Sequence, residues 1–357
     1  MRSERVTSGQ IESLGMAGVI GAVLLAPARL GGRSIAKGTR IDDQLAAQIL
    51  EDSRSGALVS ALRFGWPGPN DLHEDEAANR LARAAAGPGV VVGPPVQSRV
   101  DLTARTDGVL RVNVEGLGQV NRIDPIEIFT LFHGQAVRAG RVVAGVKVAP
   151  HLVWEGEVLQ GEVLAKQQAP LVDVQPYLPL RVAAIAAEAL AAAALGRFTG
   201  AAQMKVSSLG GIFVGTTLIE DEDVQSATRR LGASLEELAH GQEVSLILVG
   251  GVSAGDPLSP FYDALHALGG RVLRRGVPAH PGSMIWLAQL GGTTILGLPQ
   301  CGMFSMATAA DLVLPRLLTG EAVSAAALAD LGHGGLLGPE MRFRFPDYAR
   351  DLETPTA

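Results

Sequence analysis

The sequence predicts an α/β protein whose second half is built on a mainly parallel sheet. Three observations carry this. The apolar runs 244–249 (VSLILV) and 294–298 (TILGL) each end in a glycine-bearing loop followed by a helical pattern. From about residue 180 to 320, strand and helix patterns alternate with short connections. The glycine loops fall at the expected carboxyl ends of strands, where open parallel sheets hold ligands.

The first loop, 250–256, reads GGVSAGD. Gly250, Gly251 and Gly255 let backbone approach a ligand closely. Ser253 adds a hydroxyl, and Asp256 a carboxylate able to hold a hydrated metal ion. A helix over 258–268, entered near Pro257, would aim backbone N–H groups at the loop and favour an anion. The second loop, 297–305, reads GLPQCGMFS and contributes Gly297, Pro299, Cys301, Gly302 and Ser305. A helix expected over 303–318 would again present its N-terminus. Between the loops lies Pro281-Gly282-Ser283-Met284, a turn after His280 that feeds a strand over 285–290. Any one glycine motif is weak evidence. The ordered set is far more specific: GGxSxGD, about 25 residues to PGS, then about 15 to GLP.

Composition sets the outer limits. The 357 residues are enough for two or three domains, and 47% hydrophobic against 18% charged residues allows a sizeable core. Aromatics are 4%, so that core is built from small aliphatic side chains. The net charge of −6 argues against general nucleic-acid binding. One cysteine, Cys301, excludes a disulfide framework and a cysteine-based zinc site. The apolar run at 16–27 is too short to span a bilayer and follows a mixed-charge start, so a cytoplasmic protein without a membrane partner is expected.

Four segments are expected in order: a β-rich module (1–70), an α+β module and connector (71–178), the ligand-binding α/β domain (179–322) and a polar, irregular tail (323–357). The first has a strand candidate at 19–25, a hairpin at 31–41 turning at Lys37-Gly38, and a helix at 42–52. The breaker cluster 66–70 separates it from a helix beginning at Asp71. His73, Glu74, Asp75 and Glu76 are not spaced to share one helical face, so they read as solvated charges rather than metal ligands. Strands follow at 90–92, 101–115, 126–132 and 141–148. His133 falls at a turn, and Asn113, Glu115, Asn121 and Asp124 stand near strand ends as candidate crevice-lining residues. Residues 154–179 read as a connector. In the α/β domain come a strand from 180, a short helix at 201–209, a strand at 211–218 and an amphipathic helix at 223–239, with Leu231, Leu235 and Leu238 as its buried stripe. Residues 331–335 (LGHGG) read as a flexible turn and 353–357 as disordered.

The set GGVSAGD, PGSM and GLPQCGMF resembles the molybdopterin-binding domain shared by molybdopterin molybdenumtransferases and their relatives in molybdenum cofactor biosynthesis. There GGVSVGD, PGKP or PGAM, and GLPGNP or GLPGC take these places. The GLPxCxMF form, the LGHGG at 331–335 and the HEDEAA at 73–78 resemble a less studied branch of those proteins. The resemblance implies a three-layer αβα domain, preceded by smaller β-rich α+β modules. It would hold molybdopterin or adenylylated molybdopterin at its strand ends, and a homodimer is implied as well. It casts Gly250, Gly251, Ser253 and Gly255 as the first cradle. Pro281, Gly282, Ser283 and the 297–302 loop form the second wall, and Asp256 serves for Mg²⁺ or catalysis.

The sequence departs from that pattern in informative places. Relatives open the domain with a TGNE- or TGDE-like loop. Here 183–190 reads AAIAAEAL, leaving Glu188 as the candidate carboxylate, and the alanines favour an early helix that would close the loop. Gln300 and Cys301 stand where relatives have Gly and Asn. Ser283 and Met284 replace the phosphate-pairing lysine, for which Arg274, Arg275 and Lys205 are candidate substitutes. Molybdate insertion into adenylylated molybdopterin asks for a divalent ion and several carboxylates, here Asp256 with Glu188, Asp221 or Asp263. Binding asks only for glycine loops and helix N-termini. Three functions stay open: a molybdopterin-binding insertase-like transferase, a non-catalytic carrier or adaptor for a molybdoenzyme, and a nucleotide-processing hydrolase.

Overall fold

A computed structural model describes residues 1–220, 223–304, 306–350 and 352. The chain divides into two units. One comprises Met1–Arg105, Arg111–His133 and Ala139–Val174; the other comprises Thr106–Leu110, Gly134–Arg138 and Gln175–Ala357. Helices and strands are mixed in both, as the α/β reading requires. Among the described residues no helix is long and apolar enough to cross a membrane.

In the first unit, the strand Leu62–Trp66 is flanked by antiparallel Arg2–Val6 and Val23–Leu24. The strand expected over 19–25 shrinks to two residues because the helix Ser8–Val19 claims its start and Gly21 turns the chain at φ 79°. The hairpin arms are Ala28–Leu30 and Arg33–Ile35, so the turn is Gly31-Gly32 rather than Lys37-Gly38. A two-residue hairpin turn needs positive φ at both central residues, and these glycines supply 53° and 74°. The helix Asp43–Arg54 starts where expected because the Asp42 carboxylate accepts the Leu45 N–H at 2.8 Å.

The helix read from Asp71 begins three residues later, as Glu74–Ala85. Asp71–His73 is instead a strand paired with Leu152–Trp154. The connector over 154–179 contains a 13-residue helix, Glu155–Gln167. Its apolar Leu159 and Val163 are exposed, which blurs the periodicity that would have announced it. Arg80 ties the two helices through Glu155 at 2.9 Å and Glu162 at 2.7 Å. A four-stranded sheet runs Ile126–Thr130, Val142–Val148, Arg99–Ala104, Val90–Val96 in spatial order. The strand read through residue 115 stops at Val112, because Asn113 accepts the Gly116 N–H and caps the helix Val114–Val120. Asn121 brackets the Ile128 backbone through both N–H and C=O, and the His133 ring bonds the Val112 backbone at 3.1 Å.

The second unit carries the glycine loops singled out from the sequence. Its elements are β1 (Arg181–Ala186), α1 (Ala192–Ser208), β2 (Ile212–Leu218), α2 (Val224–Glu236), β3 (Leu246–Gly250), α3 (Pro260–Ala267), β4 (Arg271–Arg275), β5 (Trp286–Leu290), β6 (Thr293–Gly297) and α4 (Ala310–Leu317). The sheet order is β2-β1-β3-β6-β5-β4. The first four strands are parallel; β5 runs antiparallel to β6, and β4 antiparallel to β5. Side chains alternate between faces with the period of two that strands impose. Val182, Ala184, Leu246, Leu248 and Leu296 join Phe198, Ala202 and Val206 of α1 and Val313 of α4. Ala183, Ile185, Ile247, Val249 and Ile295 join Leu231 and Leu235 of α2 and Phe261 and Leu265 of α3.

Two expectations fail here for physical reasons. The alanine run does not start a helix at 183: β1 pairs with β2 and β3 through Ala186, and α1 begins only at Ala192. Helix propensity is a weak local bias, and pairing on both edges with burial on both faces outweighs it. The loop at 187–191 is therefore open, and α1 is far longer than the predicted 201–209. The tail is also not merely polar and irregular. Leu337, Phe345 and Ala349 are buried in the same cluster as β1 and α4. Residues 353–357 lie outside the described residues.

A buried ion pair joins these pieces. Lys205 Nζ on α1 lies 2.7 Å from Asp311 Oδ1 on α4, with side chains 3% and 0% exposed. Asp311 also accepts the Thr308 N–H at 2.9 Å and the Tyr348 hydroxyl at 3.0 Å, and Lys205 donates to the Gly302 carbonyl at 3.3 Å. Breaking such a pair leaves an uncompensated buried charge. Lys205→Met is therefore expected to cost about 3–5 kcal/mol in denaturant unfolding. Burial first, and the Asp311 charge second, push the Tyr348 phenol well above its ordinary value. The folded state then keeps a proton that the unfolded chain loses above about pH 10. Stability from Tyr348 is complete below that pH and is lost as pH rises through the elevated folded value. Denaturant midpoints should fall in alkali, less steeply in Tyr348→Phe, with Tyr177 and Tyr262, also raised by burial, contributing to what remains.

Candidate functional site

A cavity of about 510 Å³ lies at the carboxyl ends of β1, β3 and β6. Four loops line it: Glu188 after β1; Gly251, Val252 and Ser253 after β3; His280, Gly282, Ser283 and Met284 before β5; and Leu298, Pro299, Gln300 and Cys301 after β6.

The β3 loop is held from behind by aromatic residues. Trp286, 1% exposed, donates its indole N–H to the Val252 carbonyl at 2.9 Å. The Tyr262 hydroxyl donates to the Ser253 carbonyl at 3.1 Å. Trp286 also packs on Phe261 and Tyr262 at ring-centroid distances of 5.1 and 5.5 Å. Gly297 is buried under the Trp286 ring, where any side chain would collide with the indole. Gly251 has φ 82°, and a Cβ there would lie 2.7 Å from Cγ of Glu188. A glycine at 251 thus lets the Glu188 stem lie across the loop.

The PGSM turn is anchored by the segment read as flexible. His280 donates its N–H to the Gly335 carbonyl at 2.7 Å and accepts from Leu337 N–H at 2.8 Å. Gly335 lies against the Pro278 carbonyl, with no room for a Cβ. LGHGG is therefore a backbone clasp on the residues before the turn. The β6 loop continues into a 3₁₀ turn, Gln300–Met303, and α4 begins only at Ala310. The helix expected over 303–318 is delayed because the N–H of Thr308 goes to Asp311 and that of Ala309 to the Pro281 carbonyl at 2.8 Å.

Of the residues singled out from the sequence, Glu188, Gly251, Ser253, Gly282, Ser283, Pro299 and Cys301 line the cavity. Gly250, Pro281, Gly297 and Gly302 are buried and do not line it. Gly255 and Asp256 are exposed and also absent from its walls. The Gly255 N–H bonds Ser253 Oγ at 3.1 Å, and Asp256 Oδ1 accepts the Leu258 N–H at 3.0 Å. Asp263 is exposed on α3; Ser305 and Asp221 lie outside the described residues. Val252, His280 and Met284 also line it without having been assigned a ligand role, and Gln300 and Leu298 line it as part of the 297–302 wall. His280 precedes a recognised turn, and only the clasp with Gly335 marks it.

Among the described residues no lysine or arginine lines the cavity. Lys205 is spent on Asp311. Arg274 bonds the Gly276 and Ala325 carbonyls, and Arg275 lies 4.0 Å over the Tyr262 ring. The expected substitutes for a phosphate-pairing lysine are engaged elsewhere. Among the described residues the N–H groups of Val252, Ser253, Ser283 and Met284 meet no protein acceptor. With the Ser253 and Ser283 hydroxyls they are neutral donors carried by two of the lining loops, a kind of group that can hold an oxyanion without a cation. Glu188 is the one acidic side chain among the described residues lining the cavity. Mg²⁺ is commonly held by one or two carboxylates plus substrate phosphate oxygens, so Glu188 would take an ion arriving with a ligand. Among the described residues no group of three or more His, Cys, Asp or Glu side chains is placed to hold a metal ion.

Trp286→Phe should keep most packing but leave the Val252 carbonyl without its donor. About 1–3 kcal/mol of unfolding free energy should be lost, with faster amide exchange across 251–253. Unchanged exchange there would remove the support role given to the indole.

No family model and no curated protein matches the chain. Among solved structures, the molybdopterin biosynthesis MoeA protein of Pyrococcus horikosii is 16% identical. That match covers 73% of this chain and 76% of its own, at a TM-score of 0.28. The molybdopterin biosynthesis enzyme MoaB of Thermus thermophilus is 20% identical over 40% of this chain and 98% of its own, also at 0.28. A deletion mutant of NadC is 13% identical over 47% and 68%, at 0.16. Scores this low carry no argument about function.

Proposed function

We propose that this chain is a molybdopterin-binding protein of late molybdenum cofactor assembly, with a three-layer αβα ligand domain in its second unit. The observation that carries the reading is convergence. Residues of the GGVSAG, PGSM and GLPQC segments, which follow one another in the motif order of the family they resemble, line one cavity of about 510 Å³. A ligand with a terminal phosphate would meet the backbone donors and serine hydroxyls of the first two loops. Its remaining polar groups would meet Gln300, His280 and Glu188. The proposal includes a cytoplasmic homodimer.

Of the competing readings, the carrier is favoured over the transferase and the nucleotide-processing hydrolase. Displacing an adenylyl group builds negative charge that a divalent ion, cations and several carboxylates ordinarily stabilise. The described residues of these walls offer one carboxylate and no lysine or arginine, and the Asp256 carboxylate is engaged with Leu258 outside them. Binding and release without bond cleavage need only the neutral donors.

Titration with molybdopterin and with adenylylated molybdopterin, with and without Mg²⁺ and molybdate, tests this. Saturable binding at micromolar concentration without AMP release is expected. Gly251→Val should abolish it by displacing Glu188 and straining φ. Molybdate-dependent AMP release would make the protein a transferase instead. Cys301, the chain's single cysteine, gives a second readout. Bound ligand should slow its alkylation by iodoacetamide, and equal rates with and without ligand would place the binding elsewhere.

A further inference from the structure

A second cavity, of about 980 Å³, lies wholly within the first unit and contains the HEDE segment that the ligand domain does not use. Its organising feature is a buried dyad. Glu74, 4% exposed, accepts from His151 Nδ1 at 2.8 Å through Oε2, and its own N–H donates to the His151 carbonyl at 3.1 Å. Gly38, at φ 80°, comes so close to Glu74 Oε1 that no side chain fits there. Bonding to a carboxylate keeps a proton on Nδ1, on the Glu74 side, which leaves Nε2 as the ring nitrogen free to meet another partner. Among the described residues Nε2 has no hydrogen-bond partner. The neighbouring His73 is different: its Nε2 meets the Gly38 carbonyl at 2.8 Å and its Nδ1 accepts the Asp75 N–H.

The walls indicate the ligand chemistry. Among the described residues no aromatic and few apolar side chains line the cavity; Ser34, Thr39, Gln97 and Ser98 supply hydroxyl and amide groups. Lys37 and Arg40 line it without an ion-pair partner among the described residues, and Lys147 lies a loose 3.9 Å from Glu127. Asp75, 3.5 Å from His73, and exposed Glu76 also line it, at the first turn of the Glu74–Ala85 helix. We infer that this cavity is a second ligand site, for a small hydroxyl-rich phosphate ester. Its phosphate lies on Lys37 and Arg40, and one hydroxyl hydrogen-bonds Nε2 of His151, whose ring Glu74 positions.

The probes are glycerol 3-phosphate, inorganic phosphate and glycerol. The full chain is labelled with ¹⁵N-histidine and its ring signals are followed, with His151 assigned through His151→Gln. Glycerol 3-phosphate should shift the His151 signals saturably at millimolar concentration, more tightly than either fragment. Lys37→Ala/Arg40→Ala, both exposed positions, should weaken that binding about tenfold or more without altering the circular dichroism. Glu74→Gln should change the His151 ring-nitrogen shifts before any ligand is added, which a purely packing role for Glu74 would not do. No saturable shift, equal affinity in the double variant, or glycerol alone binding as tightly would each overturn the inference.

Discussion

A lysine ammonium and an aspartate carboxylate taken out of water together hold the second unit in register. Two such ions are costly to bury, and the cost is offset only when every remaining donor and acceptor finds a partner. Here Asp311 answers Lys205, the Thr308 N–H and the Tyr348 hydroxyl, while Lys205 also meets the Gly302 carbonyl. One pair thereby fixes α1, α4, the tail and the loop after β6. That loop carries Gln300 and Cys301 into the cavity, so the shape of one wall rests on an interaction buried behind it.

The other wall is held on the same plan with neutral groups. Trp286 and Tyr262 bond two successive carbonyls of the β3 loop, and Gly297 lets the indole lie flat on β6. With two carbonyls bound from behind, the loop keeps its Val252 and Ser253 N–H groups without a protein acceptor among the described residues. The PGSM turn is clasped in turn by Gly335 and Leu337. Each wall is thus positioned by contacts outside the cavity, an arrangement suited to preorganised binding.

The charge pattern separates the two units chemically. Among the described residues, the second unit's cavity is lined by neutral polar and apolar groups, His280 and a single carboxylate, with the nearby cations committed to carbonyls, an aromatic ring or a buried aspartate. The first unit's cavity has exposed cations and a histidine set by a buried glutamate. A neutral donor set favours reversible holding of an oxyanion; a positioned imidazole beside cations favours a ligand with both a negative charge and a hydrogen-bonding group.

Much of this was legible in the sequence. The β1, β2, β3 and β6 strands, the amphipathic α2 and the ordered glycine loops all follow from local pattern, because strand alternation, helix periodicity and glycine turns are written over a few residues. Seven of the residues chosen on motif grounds line the cavity for the same reason. What the sequence left open needed partners distant in the chain. The alanine run reads as helix until pairing on both sides makes it β1. The hairpin turn moves to Gly31-Gly32, where two positive φ angles are needed. LGHGG looks flexible until Pro278 and His280 are beside it. Lys205 and Asp311, 106 positions apart, find each other only when α1 and α4 cover the same face of the sheet. Local chemistry set the elements and the loops. Burial decided which charges were spent on structure and which remained to meet a ligand, because the cost of an unpaired group exists only once water has been excluded around it.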